Sequence, residues 1–256
     1  MSRLMTSELS EAIEGLYATF ARYSALNMGG HCDTADDSEG NRLGATPLRE
    51  LTHQDLSLYA FKAMSTWGSV DEYKHFLPRL MELVAQAGRV GDTEVWVVLA
   101  KPGYGELRKW PAAERESVER FFLAVWRKLL SAYPTTDEIE YWYDGIAHSV
   151  DDLGPYFAEL VAARDEPAVR QLADFVAYYV GPLTGNHVNW ARLDEAIGHP
   201  ESPRARALRW VLSDERVEQL RRLFFEARDG EFAARVSAVE EMLSGVLGRW
   251  RVVKGG

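Results

Sequence analysis

Apolar residues recur along most of this chain at three- and four-residue steps, the spacing that lines one face of an α-helix. Leu9, Ile13, Leu16, Phe20 and Tyr23 set the first such face. The pattern stops over residues 27–46, a Gly- and Asp-rich stretch read as a long mobile loop. Order resumes at Pro47. Thr52 and Asp55 pair an N-terminal cap with a first-turn carboxylate, predicting a helix to about residue 66. Ser69 and Glu72 form a capping-box pattern. The next apolar face follows at Tyr73, Phe76, Leu77, Leu80, Leu83 and Val84, with an expected kink at Pro78.

Val95–Leu99 is the one strand-like run. A lone strand leaves its backbone groups without partners, so a buried helix is expected there. Pro111 starts a long helix through Phe121, Phe122, Val125, Leu129 and Leu130, ending before Pro134. Further helices fit 136–150, 153–163, 167–180, 190–198, 203–212, 214–228 and 231–247, with prolines at or near the boundaries. Residues 249–256 are expected to fray. No pair of alternating runs flanks a tight turn, so no hairpin is expected. The fold class is all-α: an irregular α-solenoid or multi-helix array of about a dozen helices, in a single domain over 1–256.

Composition narrows the classes. The chain has 256 residues, 46% hydrophobic and 27% charged, which suits a soluble globular protein with a sizeable core. No apolar run approaches the roughly 20 residues of a membrane span, so no membrane association is expected. The first residues show no apolar signal segment, and Cys32 is the sole cysteine, which rules out an intramolecular disulfide. A cytoplasmic location is the simplest expectation.

The formal net charge of −10 is unevenly placed. Residues 134–200 hold 12 acidic and 3 basic side chains, net −9, whereas 101–133 and 201–256 are net positive. That acidic centre favours a basic partner and repels nucleic acid. The Arg-rich end (Arg204, Arg206, Arg209, Arg221, Arg222) is interleaved with Glu and reads as helix-surface pairs.

Two resemblances follow from short motifs. Asp165-Glu-Pro-Ala-Val169-Arg170-Gln-Leu-Ala173 resembles the second helix of a HEAT repeat. Phe76-Leu77-Pro78-Arg79-Leu80 and Gly154-Pro155 with Leu160 look like its proline-bearing first helix, and Asp214-Glu-Arg-Val217 with Leu220 is a fainter echo. Together they cover about a third of the chain, at an irregular period. The resemblance implies stacked helix pairs with a concave binding surface. The stretch from Tyr59-Ala-Phe61-Lys62-Ala63-Met64 to His75-Phe76-Leu77-Pro78 is similar to an uncharacterised all-helical bacterial family, and that similarity implies no function.

The most patterned candidate site lies on the helix after Pro134. Ile139, Trp142, Ile146, Val150 and Leu153 form its apolar face. Glu140, Asp144, His148 and Asp152 recur at four-residue intervals on the other side, with Asp137 in line and Tyr141 close by. Carboxylates stacked at that spacing repel one another, which a basic partner would relieve. The same stripe also reads as a solvated face, or as a metal site at Asp144 and His148, although two ligands fall short of the three or four a transition metal needs.

In the 27–46 loop, His31 and Cys32 with Asp33, Asp36, Asp37 and Glu39 are metal-capable, or simply a polar loop. The nearby acids would raise the Cys32 thiol pKa, which disfavours thiolate chemistry. His53 and His75 read as cap or core-edge residues, and Thr184–Trp190 as a polar loop. Tyr141, Tyr143, Tyr156, Tyr178 and Tyr179 stand amid acids and would suit an Arg- or Lys-rich surface. No phosphate-binding glycine loop, nucleophile elbow or zinc-protease motif occurs.

The expectation is therefore a protein-binding module that holds a basic partner on an acidic surface at about 137–195, as an inhibitor, immunity protein or accessory subunit would. No cofactor is expected. The alternative is a helical enzyme or metal protein using His and carboxylates.

Overall fold

The computed structural model describes residues 7–24, 37–135, 138–185, 187–199, 202–227 and 229–255. The chain, expected as a single domain, divides into two compact units: Met1–Lys128 with Thr136–Leu153, and Leu129–Thr135 with Gly154–Gly256. The fold is all-α, with thirteen helices among the described residues.

The first unit holds α1 (Ser7–Phe20), α2 (Asp37–Ala45), α3 (His53–Lys62), α4 (Val70–Ala87), α5 (Val95–Tyr104), most of α6 (Ala112–Leu130) and α7 (Ile139–Ser149). Both expected caps form. Thr52 and Ser69 accept from the amides of Asp55 and Glu72, whose carboxylates accept from the cap amides in return. The Thr52 hydroxyl and amide, with the Arg42 guanidinium, hold the Asp55 carboxyl down to about 2.

Helix α4 runs on through Pro78 and buries Phe76, Leu77, Leu80, Met81 and Val84 against α1, α3 and α5. Each fully buried side chain of this size contributes about 1.5–3 kcal/mol. The four-turn face predicted for α1 is the buried one: Leu9, Ile13, Leu16 and Phe20 are all in the core.

Three local expectations are corrected. Residues 37–45, within the expected 27–46 loop, are helix α2. Its composition hid it: Gly40 and Gly44 weaken helix propensity, and tertiary contacts override them. Leu43 is fully buried, and Arg42 pairs with Asp55 at 2.6 Å.

A short hairpin, β1 (Arg89–Val90) with β2 (Thr93–Glu94), precedes α5. Two-residue strands are too brief to show alternation. The cue was the Gly91-Asp92 dipeptide at its turn. Gly91 sits at φ +57, and a Cβ there would lie 2.2 Å from the Ser57 side chain, so the tip lies directly against α3. Val95–Leu99 is helical as expected, within α5.

Helices α5 and α7 approach at two glycines. A Cβ on Gly103 would stand 2.1 Å from the His148 carbonyl oxygen, and one on Gly145 would stand 2.7 Å from Leu99 Cβ. Across this contact the Gly103 amide donates to Ser149 Oγ at 2.9 Å, and that hydroxyl donates to the Leu99 carbonyl at 2.6 Å.

The second unit contains α8 (Gly154–Ala162), α9 (Glu166–Val180), α10 (Trp190–Gly198), α11 (Pro203–Val211), α12 (Asp214–Glu226) and α13 (Gly230–Gly255). Helix α13 packs on α9 and α12. The Phe157 and Trp210 rings stack at 4.7 Å, and the buried Arg216 guanidinium lies over the Trp210 ring at 4.5 Å. The Gln219 amide donates to the Leu160 carbonyl at 2.9 Å.

The third correction is the tail. Residues 249–255, expected to fray, continue α13. Arg249 donates to the Thr184 and Leu183 carbonyls, and Arg251 pairs with Asp214, so the last turns are tied down.

Candidate functional site

An open groove of about 550 Å³ lies between α3, the hairpin and α5 in the first unit. Its floor and walls include Ser57, Leu58, Phe61, Asp92, Glu94 and Trp96. The volume is within the range of small-molecule and side-chain pockets. Two aromatic rings stand open to water, Phe61 at 61% exposure and Trp96 at 40%. Rings of this size normally bury most of their surface, and here both line the same groove.

The local sequence places each group. On α3 the core face takes Leu56, Tyr59 and Ala60, and Phe61 falls on the opposite side. Lys101 of α5 fixes the end of that helix. Its buried ammonium donates to the Phe61 carbonyl at 2.7 Å and the Ala63 carbonyl at 2.8 Å, which intrahelical bonds leave open. Burial lowers the Lys101 pKa.

The hairpin tip is held by Ser57. The Asp92 amide donates to its hydroxyl at 3.1 Å, and the Thr93 hydroxyl donates to its carbonyl at 3.1 Å. This sets the Asp92 and Glu94 carboxylates on the groove. The Trp96 indole N–H donates to Glu94 Oε2 at 2.6 Å, fixing ring and carboxylate together. Neither carboxylate forms an ion pair with a Lys or Arg among the described residues, although Arg89 faces Glu94 across the hairpin. The groove therefore combines two carboxylates with two exposed rings, a combination that attracts cations.

The carboxylate stripe predicted on α7 faces outward only in part. Glu140 is buried, at 4% exposure, and Asp144 is half-buried. The reason is a second buried line on this helix, Glu140, Tyr143 and Ala147, beside Ile139, Trp142 and Ile146. Tyr141, His148 and Asp152 are exposed. The His148 Nδ1 bonds to the Asp144 carbonyl of its own helix at 2.7 Å.

Asp151 and Asp152 stand near Glu119. Burial raises the Glu119 pKa, and these neighbours add to the rise. The chain crosses from one unit to the other after Leu153, so residues 137–195 belong to two units. Of the tyrosines, Tyr143, Tyr156 and Tyr179 are core, while Tyr141 and Tyr178 are exposed.

For the metal reading, Asp144 and His148 gain no third ligand. No group of three His, Cys, Asp or Glu side chains among the described residues could hold an ion. His31, Cys32 and Asp137 lie outside the described residues. His53 begins α3, and His75 Nδ1 bonds to the Tyr23 carbonyl at 2.9 Å, both structural positions.

A second polar cluster lies between the end of α1, α4 and α6. Glu114 on α6, at 1% exposure, accepts from Tyr23 at 2.7 Å and pairs with Lys74 at 2.9 Å and with Arg22. Lys74 also lies 4.5 Å from the Trp110 ring. Burial pushes the Glu114 pKa up, but the bonds from Lys74 and Tyr23 outweigh it, leaving the carboxyl below its usual value. Lys74 stays charged for the same reason, above its usual value. Glu114 and Lys74 are buried and Arg22 closes the cluster from the solvent side, so it ties the end of α1 to α4 and α6.

Comparison with family models, curated proteins and solved structures returns no match. No helix among the described residues is long and apolar enough to cross a membrane.

Proposed function

We propose that this protein is a binding module that holds a basic protein partner on the acidic, aromatic groove of its first unit. The observation that carries the reading is the pairing of Asp92 and Glu94 with the exposed Phe61 and Trp96 rings around one cavity. Aromatic anchors supply contact area, and carboxylates supply sign and orientation. The overall charge of −10 adds long-range attraction for a basic surface. An inhibitor, immunity or accessory-subunit role is consistent with this chemistry. The groove replaces the α7 stripe as the centre of the proposal, because Glu140 is inside the fold.

The test is calorimetric titration of the full chain with a short peptide of alternating Gly with Arg and Lys. Saturable binding that is lost in the Asp92→Asn/Glu94→Gln double variant supports the reading. Equal binding by wild type and variant, or none by either, overturns it.

A further inference from the structure

We infer that the cation taken by the groove is a guanidinium, so the partner presents arginine rather than lysine; this rests on the binding reading above. The argument begins with how the chain treats its own cations. At two corners near solvent where an aromatic ring meets a carboxylate, the cation held is arginine. Arg49 lies 3.7 Å from the Tyr17 ring centre while making two bonds to Glu14, at 2.9 and 2.7 Å. Arg170 lies 4.9 Å from the Phe232 ring and pairs with Glu166 at 2.8 Å. Lysine occupies such a corner in a sealed setting: Lys74 is buried between Trp110 and Glu114.

The difference has a physical cause. An ammonium is a compact, strongly hydrated point charge, and an open site cannot repay the water it must shed. A guanidinium is planar and weakly hydrated, so it can lie on a ring and still present paired donors at its edge. The groove is open to solvent and offers what that shape needs. Phe61 and Trp96 supply ring faces, and Asp92 supplies a carboxylate with no ion pair of its own among the described residues. Glu94 is held in place by the Trp96 indole at 2.6 Å, so it meets the incoming cation without first being ordered.

That same indole N–H is the reporter. The ¹⁵N-labelled protein is titrated with Gly-Arg-Gly-Arg-Gly and, separately, with Gly-Lys-Gly-Lys-Gly, following the Trp96 indole resonance. Its absence in Trp96→Phe assigns it. The expected result is a saturable shift with the arginine peptide at an affinity at least about threefold higher than with the lysine peptide, the scale of one exposed cation–π contact. Equal affinities, or tighter lysine binding, overturn the arginine inference and leave the binding reading standing. No shift with either peptide overturns the binding reading itself. The Asp92→Asn/Glu94→Gln variant should lose the arginine shift, and retention of that shift would also overturn the inference.

Discussion

Replacing Gly103 by alanine should destabilise the first unit, although alanine is the better helix former. Propensity alone favours the change by about 1 kcal/mol. Against it, the added methyl would lie 2.1 Å from the His148 carbonyl oxygen and 2.8 Å from Ser149 Cα. Ordinary heavy-atom contacts lie at about 3.5–4.0 Å, so α5 and α7 must separate by more than about 1 Å. Backbone cannot rotate away as a flexible side chain can. Overpacking of this kind costs about 1–3 kcal/mol. Separation also strains the two bonds through Ser149, each contributing about 1 kcal/mol. The expected net loss is about 2–3 kcal/mol. Gly145→Ala should follow the same sign, since its methyl meets Leu99 Cβ at 2.7 Å and the Trp96 carbonyl at 2.9 Å. Gly248→Ala on α13 is the control: nothing lies within 4 Å of its added methyl, so it should gain about 0.5–1 kcal/mol. Urea unfolding followed by circular dichroism and tryptophan fluorescence reads all three, with two transitions allowed for two units. A Gly103→Ala protein as stable as wild type, or more so, would refute the close approach of α5 and α7.

Other expectations are smaller in scope. Glu114 is held below its ordinary pKa in the folded state, so its contribution is present above the unfolded carboxylate value, about 4.3, and is lost as pH falls through the folded one. Glu114→Gln should therefore flatten the acid limb of the stability profile, and at neutral pH should cost about 3 kcal/mol by leaving Lys74 buried without its counter-charge. An unchanged acid limb in thermal melts across pH would contradict this. Lys101→Met removes the cap on the end of α3, at a cost of about 2 kcal/mol, and should shift the Phe61 amide and ring resonances; unchanged spectra would count against it. Arg249→Ala should raise hydrogen exchange in the last turns of α13 several-fold, and exchange equal to wild type would mean the Leu183 and Thr184 contacts do not hold that end.

Much of the fold was legible because helix periodicity and caps are local signals. Thr52, Asp55, Ser69 and Glu72 marked two helix starts, and Leu9 to Phe20 named a core face, all from spacing alone. Val95–Leu99 was readable as helix only by elimination. Glu140 was misplaced because a carboxylate defaults to the outside, whereas Tyr143 and Ala147, three and seven residues on, already drew the same line inward. The groove was not legible. Phe61 and Trp96 are 35 positions apart in sequence, and Asp92 and Glu94 sit on a hairpin whose strands are two residues each. Tertiary contacts bring them together: Gly91 packs on Ser57, Asp92 and Thr93 bond to Ser57, and Lys101 bonds to the end of α3. A ring on the polar side of α3 was the one local cue.

The most direct test of the central claim compares two charge reversals of equal size in the same unit. Asp92→Lys/Glu94→Lys alters the groove, and Asp151→Lys/Asp152→Lys alters exposed acids elsewhere. Both change the net charge equally, but screening confines most of the effect to within a Debye length of about 8–10 Å. Calorimetric affinity for an arginine peptide at about 0.15 M salt should be abolished by the first pair and changed less than about twofold by the second. Equal losses from both, or a loss confined to the second, would contradict a groove that holds the basic partner.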